Sequence, residues 1–245
     1  MEERTYRQTM GSDLSHHFIL AYKASDLWVG IGGVHNVLLL EKALAVRQRD
    51  MYEALEAYID RKPIFLQSLN PLPVDAQAPV FIQDMYRAGR IAGTGPMASV
   101  AGLFAQKMAE YAIELGASNV VIENGGDLYL HGNEDLTVSV FAGKSSFTNR
   151  IALSIAKEEM PLAVCTSSGT VGHSFSFGKA DALVVKGKEG AVVDALATII
   201  CNQVDAQNDV TALLERYIER PEIDGILAIR GDELVVVGQM KLKKI

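Results

Sequence analysis

The sequence has few of the residues that mark several common classes of protein. It contains two cysteines, Cys165 and Cys201, among 245 residues, which is too few for a disulfide framework and lacks the spacing of a Cys-x-x-Cys zinc site. No apolar run reaches the roughly 18 residues that span a bilayer. The polar N-terminus also lacks the apolar core of a signal peptide. These absences predict a cytoplasmic protein with no membrane partner.

Positive charge is also scarce. The chain has 23 Lys and Arg residues against 30 Asp and Glu residues, for a net charge of −7. No basic block is interleaved with aromatic residues, so we do not expect nucleic acid as a partner. Hydrophobic residues make up 49% of the chain, enough for a sizeable core. We predict one domain over residues 1–245, with a seam between two lobes near residues 70–80, and leave a homo-oligomer open.

The hydrophobic pattern predicts an α+β fold in which mostly antiparallel sheets are flanked by helices. The predicted helices cover residues 36–62, 80–89, 96–115, 190–202 and 210–219, with a proline-containing loop at 68–79. The predicted strands cover residues 6–10, 18–22, 26–31, 119–122, 127–131, 136–141, 150–155, 163–166 and 182–185, followed by a C-terminal hairpin that turns at 231–232. We expect the four strands between 119 and 155 to form a meander, and the lysine-rich tail to be solvated.

One predicted helix carries two oxygen-bearing side chains four residues apart, Asp194 and Thr198. Residues at this spacing lie on the same face of a helix, and a hard cation prefers oxygen ligands. The pair is therefore a candidate metal site. The structural alternative is that Asp194 complements the helix dipole and Thr198 bonds to a carbonyl one turn earlier.

A glycine-rich segment, AGTGPMASVAG at residues 92–102, is a candidate phosphate site. Glycines let the backbone approach a ligand closely, and Pro96 suits the first turn of a helix whose free amides can hold phosphate oxygens. The segment lacks the Gly-Lys-Ser/Thr of a phosphate loop. Its structural alternative is a tight turn followed by close helix packing. The candidate ligand-binding residues here are Gly93, Thr94, Gly95, Met97 and Ala98.

Two further segments are candidates. The turn ENGGDLYL at residues 123–130 brings backbone close to a flat ligand, or is simply a hairpin turn. The loop TSSGTVGHSFSFG contains His173, a candidate general base because its ordinary pKa lies near neutrality, or simply an exposed histidine. The candidate ligand-binding residues in these two segments are Asn124, Gly125, Gly126, Asp127, Thr166, Ser167 and Ser168.

In this order, the segments resemble those of the ApbE family, the FAD:protein FMN transferases, and in particular a compact, uncharacterised ApbE-like branch. The resemblance rests on AGTGPMASVAG, on ASNVVIENGGDLYLHG and, most specifically, on ALVVKGKEGAVVDALAT. It covers roughly residues 90–205.

The resemblance implies an ApbE-like fold, FAD as substrate or ligand, and a divalent cation, usually Mg²⁺. It implies that Asp194, Thr198 and a backbone carbonyl between Ala92 and Gly95 bind the cation, and that His173 is the base for a Ser or Thr hydroxyl of an acceptor protein. Two departures are visible. The glycine-rich helix start has no lysine, and the family's His-x-x-Asp-Pro loop is absent.

Two functions follow as hypotheses. In the first, the protein is a transferase that cleaves the pyrophosphate of FAD or passes FMN to a partner protein. In the second, it is a non-catalytic module that keeps the cleft and binds a flavin, another metabolite or a protein.

Overall fold

The computed structural model describes residues 14–169 and 178–245. The helices are α1 (Val37–Arg61), α2 (Ile64–Gln67), α3 (Val80–Ala92), α4 (Val100–Glu114), α5 (Gly190–Gln203) and α6 (Val210–Ile218). The strands are β1 (His16–Tyr22), β2 (Ser25–Gly32), β3 (Asn119–Asn124), β4 (Asp127–His131), β5 (Leu136–Ser139), β6 (Ile151–Ile155), β7 (Leu162–Ser167), β8 (Ala182–Gly187), β9 (Gly225–Arg230), β10 (Glu233–Gly238) and β11 (Lys241–Lys244). The predicted α+β class is confirmed.

A single eight-stranded antiparallel sheet organises the described residues, in the order β1-β2-β3-β4-β7-β8-β9-β10. Its helix face is covered by α1, α4, α5 and α6, with α3 packed against α5, and this side holds the larger apolar core. Its opposite face holds a second apolar core, shared with a three-stranded sheet in the order β11-β6-β5. The main sheet is therefore covered by helices on one face and by the smaller sheet on the other.

Local sequence explains where the helices of the first half begin and end. The side chain of Asn36 accepts a hydrogen bond from the Leu39 amide and caps α1, as asparagine does at helix starts. Helix α1 ends at Arg61, before Pro63, as predicted. Helix α3 runs three residues beyond the predicted end at Gly89 and stops at Gly93, whose φ of +83° suits glycine.

Two predictions for the middle of the chain differ from the structure. The strands between residues 119 and 155 do not form one meander, because β4 pairs with β7 while β5 and β6 belong to the smaller sheet. The helix predicted from Pro96 begins as a separate 3₁₀ turn, Pro96–Ser99. There the Ser99 hydroxyl donates to the Pro96 carbonyl at 2.7 Å, a local bond that competes with helical pairing.

The lysine-rich tail is exposed, as expected, and it also forms a strand that was not predicted. It forms β11, whose exposed residues pair with β6. Within the described residues, no helix is long and apolar enough to cross a membrane. The predicted strand at residues 6–10 lies outside them. The seam near residues 70–80 stays a prediction.

Candidate functional site

The candidate site is built where helices α4 and α5 cross with almost no space between their backbones. A Cβ on Gly102 would lie 2.3 Å from the Gly190 carbonyl oxygen and 2.7 Å from Cβ of Asp194. The two helices also exchange hydrogen bonds. Gln106 Oε1 on α4 accepts from the Gly190 amide at 2.7 Å, and Asp194 Oδ2 on α5 accepts from the Gly102 amide at 2.8 Å. This crossing fixes the position of Asp194.

Asp194 belongs to α5, and its buried carboxylate lies against the start of helix α4. The amides of Gly102 and Ala101 both donate to it, and helix N-terminal amides favour a negative charge. Burial nevertheless outweighs these two bonds and raises the pKa of Asp194 to about 7. The negative charge is therefore under-compensated by the groups around it.

A second buried carboxylate, Asp127 of strand β4, lies close to the same α4–α5 crossing. Its Oδ1 accepts from the Thr166 amide at 3.1 Å, and the Cys165 thiol also hydrogen-bonds to it. Burial, followed by the negative charge of Asp194, raises the pKa of Asp127 well above its ordinary value. Burial and the same two carboxylates also raise the pKa of Cys165. Cys165 is therefore a buried thiol rather than a nucleophile, as predicted.

Neither aspartate has a cationic partner among residues 14–169 and 178–245. The ion pairs found there do not include Asp127 or Asp194. No group of three His, Cys, Asp or Glu side chains in this part of the chain could hold a metal ion. Any cation held here would therefore need hydroxyl or backbone oxygens as well, and Thr198 lies half-buried one helical turn from Asp194.

The turn between β3 and β4 lies against the same crossing. Asn124 Nδ2 donates to the Ala101 carbonyl at 3.2 Å, so the turn is tied to the start of α4. The buried Glu123 accepts from the Gly126 amide at 2.8 Å. Gly125 and Gly126 have φ of +68° and +104°, as a tight turn between paired strands requires. The hairpin interpretation of this segment is therefore correct, whether or not it also contacts a ligand.

The glycine-rich segment has a different environment from the one expected. The amides of Gly93 and Thr94 donate to the Gly89 carbonyl, and the amide of Gly95 donates to the Leu69 carbonyl at 2.9 Å. A Cβ on Gly95 would lie 1.7 Å from the Ser68 carbonyl oxygen. The backbone that approaches Gly95 closely is therefore the chain's own loop. The amide of Ala98 is also paired, with the Gly95 carbonyl.

The structure thus brings together part of the predicted set. Asp194, Asn124, Asp127 and Thr166 meet around the α4–α5 crossing. Met97 and Ala98 lie on the 3₁₀ turn, which packs against α5. Ser167 is buried, and Ser168 donates to the Ala180 carbonyl at 3.5 Å. His173 lies outside the described residues, so its role stays a prediction.

Sequence reasoning missed Gln106 and the two amides that hold Asp194. A signal existed, because Gly102 stands in the first turn of one apolar helix and Gly190 follows a polar turn at the start of another. Two glycines in this position indicate close helix packing.

Solved structures show which known fold this chain shares. The chain is similar to the Pseudomonas stutzeri flavinyl transferase ApbE in its apo form, with a TM-score of 0.57, 12% identity, and coverage of 91% of this chain and 93% of that chain. It is also similar to the flavin transferase ApbE from Vibrio cholerae, with a TM-score of 0.55, 13% identity, and coverage of 94% and 96%. The fold is therefore ApbE-like, as predicted.

Sequence relatives identify the family to which the chain belongs. The model of a family described as "AbpE bacteria" matches residues 7–219. A UPF0280 protein of Methanocaldococcus jannaschii is 41% identical over 191 residues, which cover 76% of this chain and 77% of that protein. A UPF0280 protein of Methanospirillum hungatei is 35% identical over 227 residues, which cover 93% and 88%. The chain belongs to this family and is similar in sequence to UPF0280 proteins of archaea.

Proposed function

We propose that the chain binds a flavin nucleotide, FAD in the first instance, through a divalent cation held by Asp194 and Thr198. One observation carries the proposal. Two buried carboxylates, Asp194 and Asp127, lie at the α4–α5 crossing without a cationic partner among the described residues. The fold around them is shared with flavin transferases. Buried charge is costly unless it is compensated, and a bound cation would compensate it.

The donor set suits a hard divalent cation such as Mg²⁺. Carboxylate, hydroxyl and backbone carbonyl oxygens are its preferred ligands, with water completing the shell. Asp194 would contribute the carboxylate and Thr198 the hydroxyl, and the predicted third ligand is a carbonyl between Ala92 and Gly95. When bound, such an ion offsets the negative charge that develops on pyrophosphate oxygens during group transfer.

The chain's own residues would position these ligands. The Gly102 and Ala101 amides orient the Asp194 carboxylate, and Asn124 fixes the start of α4 through the Ala101 carbonyl. In the transferase form of the proposal, His173 accepts the proton of a Ser or Thr hydroxyl on an acceptor protein. FMN then passes to that hydroxyl, and AMP is the leaving group.

One observation favours the second function, a non-catalytic flavin- or metabolite-binding module. The amides of Gly93, Thr94, Gly95 and Ala98 are all occupied within the chain. A phosphate at this segment would therefore meet few of the backbone donors that stabilise charge in a transition state. The same metal site could then bind the nucleotide without turning it over.

Binding and turnover are measured separately to distinguish the two functions. FAD is titrated into metal-free protein with Mg²⁺ and with chelator, and AMP and FMN release are followed in parallel. We expect Mg²⁺-dependent binding in the wild type and its loss in Asp194→Ala. Asp60→Ala, which removes an exposed aspartate from α1, serves as the matched control. AMP release supports the transferase, binding alone supports the module, and no binding with any divalent cation contradicts both.

A further inference from the structure

Thr94 holds a buried side-chain oxygen to which residues 14–169 and 178–245 supply no hydrogen-bond partner. The residue is only 5% exposed, and its Oγ1 has no partner among the described residues. A hydroxyl can donate one hydrogen bond and accept two. Leaving such a group buried and unpaired costs about 1–3 kcal/mol. Unpaired buried polar groups are uncommon enough that each one calls for a physical reason.

The backbone amides of residues 93–95 are all paired, whereas the Thr94 hydroxyl has no partner among the described residues. The three amides of residues 93–95 donate to the Gly89 and Leu69 carbonyls. The side-chain hydroxyl is therefore the group of this turn that remains able to donate a hydrogen bond to something else. The turn cannot act as an amide cradle without first breaking its own contacts.

The residue before Thr94 borders open space. An ideal Cβ on the neighbouring Gly93 would meet no described atom within 4 Å, and Gly93 is exposed. On the other side, the chain continues into the 3₁₀ turn, Pro96–Ser99, which packs against α5. Helix α5 carries Asp194 and Thr198. Along the chain, Thr94 thus lies between an exposed glycine and a turn that packs against the helix of the candidate metal site.

We propose that the Thr94 hydroxyl donates a hydrogen bond to a phosphate oxygen of the bound nucleotide, in the role expected of the backbone amides. The inference rests on the proposed function, because it is the cation on α5 that brings the phosphate to this segment. A hydrogen bond to a charged oxygen is stronger than a neutral one. The bond explains why the protein keeps a buried hydroxyl that its own fold does not use.

The test uses two substitutions that separate the hydroxyl from the shape of the side chain. Thr94→Val keeps the shape and removes the hydroxyl, and Thr94→Ser keeps the hydroxyl. With Mg²⁺ present, we expect Thr94→Val to weaken FAD binding about tenfold or more, the effect of losing a hydrogen bond to a charged group. Thr94→Ser should bind FAD within about threefold of the wild type on the same grounds.

Two further readouts distinguish a ligand contact from a structural one. The ligand-free Thr94→Val protein should melt at the same temperature as the wild type or higher, because a buried unpaired hydroxyl has been removed. In competition with FAD, the advantage of ADP over adenosine should shrink in the Val variant, since only ADP carries the phosphates.

The outcomes are separable. Unchanged FAD affinity in Thr94→Val, or an unchanged ratio of ADP to adenosine affinity, overturns the assignment of Thr94 and leaves the proposed function standing. A lower melting temperature for ligand-free Thr94→Val also overturns it, because the hydroxyl would then be bonded within the fold. If the wild type itself binds no FAD with any divalent cation, the proposed function fails and the assignment fails with it.

Discussion

The two faces of the main sheet differ in how their buried charged side chains are paired. On the face covered by the small sheet, Lys186 of β8 is almost fully buried and pairs with Glu159 at 2.6 Å. On the helix face, Asp127 and Asp194 are buried without any such partner in the described part of the chain. Within the described residues, the protein therefore supplies a counter-charge at one buried position and not at the other. Under the proposed function, a bound cation would supply the missing positive charge on the helix face.

The pKa directions follow the same contrast. Although burial opposes it, the hydrogen bonds from Lys186 and the Ala156 amide keep the pKa of Glu159 below its ordinary value. Burial dominates at Asp194 and raises its pKa to about 7. The fold stabilises Glu159 as an anion, whereas burial favours the protonated form of Asp194.

The largest expected effect is the loss of cation binding when Asp194 loses its charge. We expect Asp194→Asn to weaken Mg²⁺-dependent FAD binding by about a hundredfold or more, since one charged ligand to a divalent ion is removed. The ligand-free variant should be at least as stable as the wild type, because an amide oxygen can still accept from Gly102 and the buried charge is gone. Calorimetric titration and thermal melts measure the two effects. Equal FAD affinity in variant and wild type contradicts the metal site.

The pH dependence of stability should separate the two faces. A carboxyl whose pKa rises on folding favours the protonated form, so its contribution is lost as pH rises from the unfolded value near 4 to the folded value near 7. We expect the ligand-free protein to lose about 4 kcal/mol of stability over this window through Asp194. Denaturant unfolding from pH 4 to 8 measures the slope.

Added Mg²⁺ should flatten that slope by binding the ionised form, and Asp194→Asn should remove the contribution altogether. A wild-type slope that neither Mg²⁺ nor this variant changes would show that other groups control it.

Breaking the paired charge on the opposite face should cost stability without affecting the ligand. We expect Lys186→Met to lower the free energy of unfolding by about 3 kcal/mol, because it leaves Glu159 partly buried and unpaired. The double variant with Glu159→Gln should recover part of this loss. Mg²⁺-dependent FAD affinity should stay within about twofold in both variants, as expected for distant, independent sites. A large change in affinity would mean that the two faces are coupled.

The smallest effect concerns the helix crossing. We expect Gly102→Ala to destabilise the protein by about 1–3 kcal/mol, because a methyl group has no room beside Gly190 and Cβ of Asp194. FAD binding should weaken as Asp194 is displaced. Chemical denaturation and FAD titration measure both. If Gly102→Ala is neutral in both, the crossing does not position Asp194.

Local signals in the sequence predicted most helices and strands, but not which strands lie beside each other in the sheets. Asn36 and Pro63 bound α1 as expected, and the turn at residues 231–232 joins β9 to β10. The assignment of β5 and β6 to a second sheet could not be read from their own residues, because it depends on β7 displacing β5 beside β4. The short strand β11 was hidden by its lysines, which are exposed and carry little hydrophobic pattern.

The site shows the same division. The helical spacing of Asp194 and Thr198 was visible in the sequence, and it is a local property. The meeting of Asp194 with Asp127 was not visible, because β4 and α5 are some sixty residues apart and meet only through the order of strands in the sheet. The pairing of the Gly95 amide with Leu69 was equally hidden, since it depends on how the loop at residues 68–79 folds back.

The most direct test of the metal site is a crystal of the protein grown with Mn²⁺ and FAD, measured for anomalous scattering. We expect an anomalous peak within about 2.5 Å of both an Asp194 carboxylate oxygen and the Thr198 hydroxyl. Density for the flavin phosphates should lie beside this peak. A fully bound flavin with no peak at this pair, or with the peak at other residues, would contradict the account.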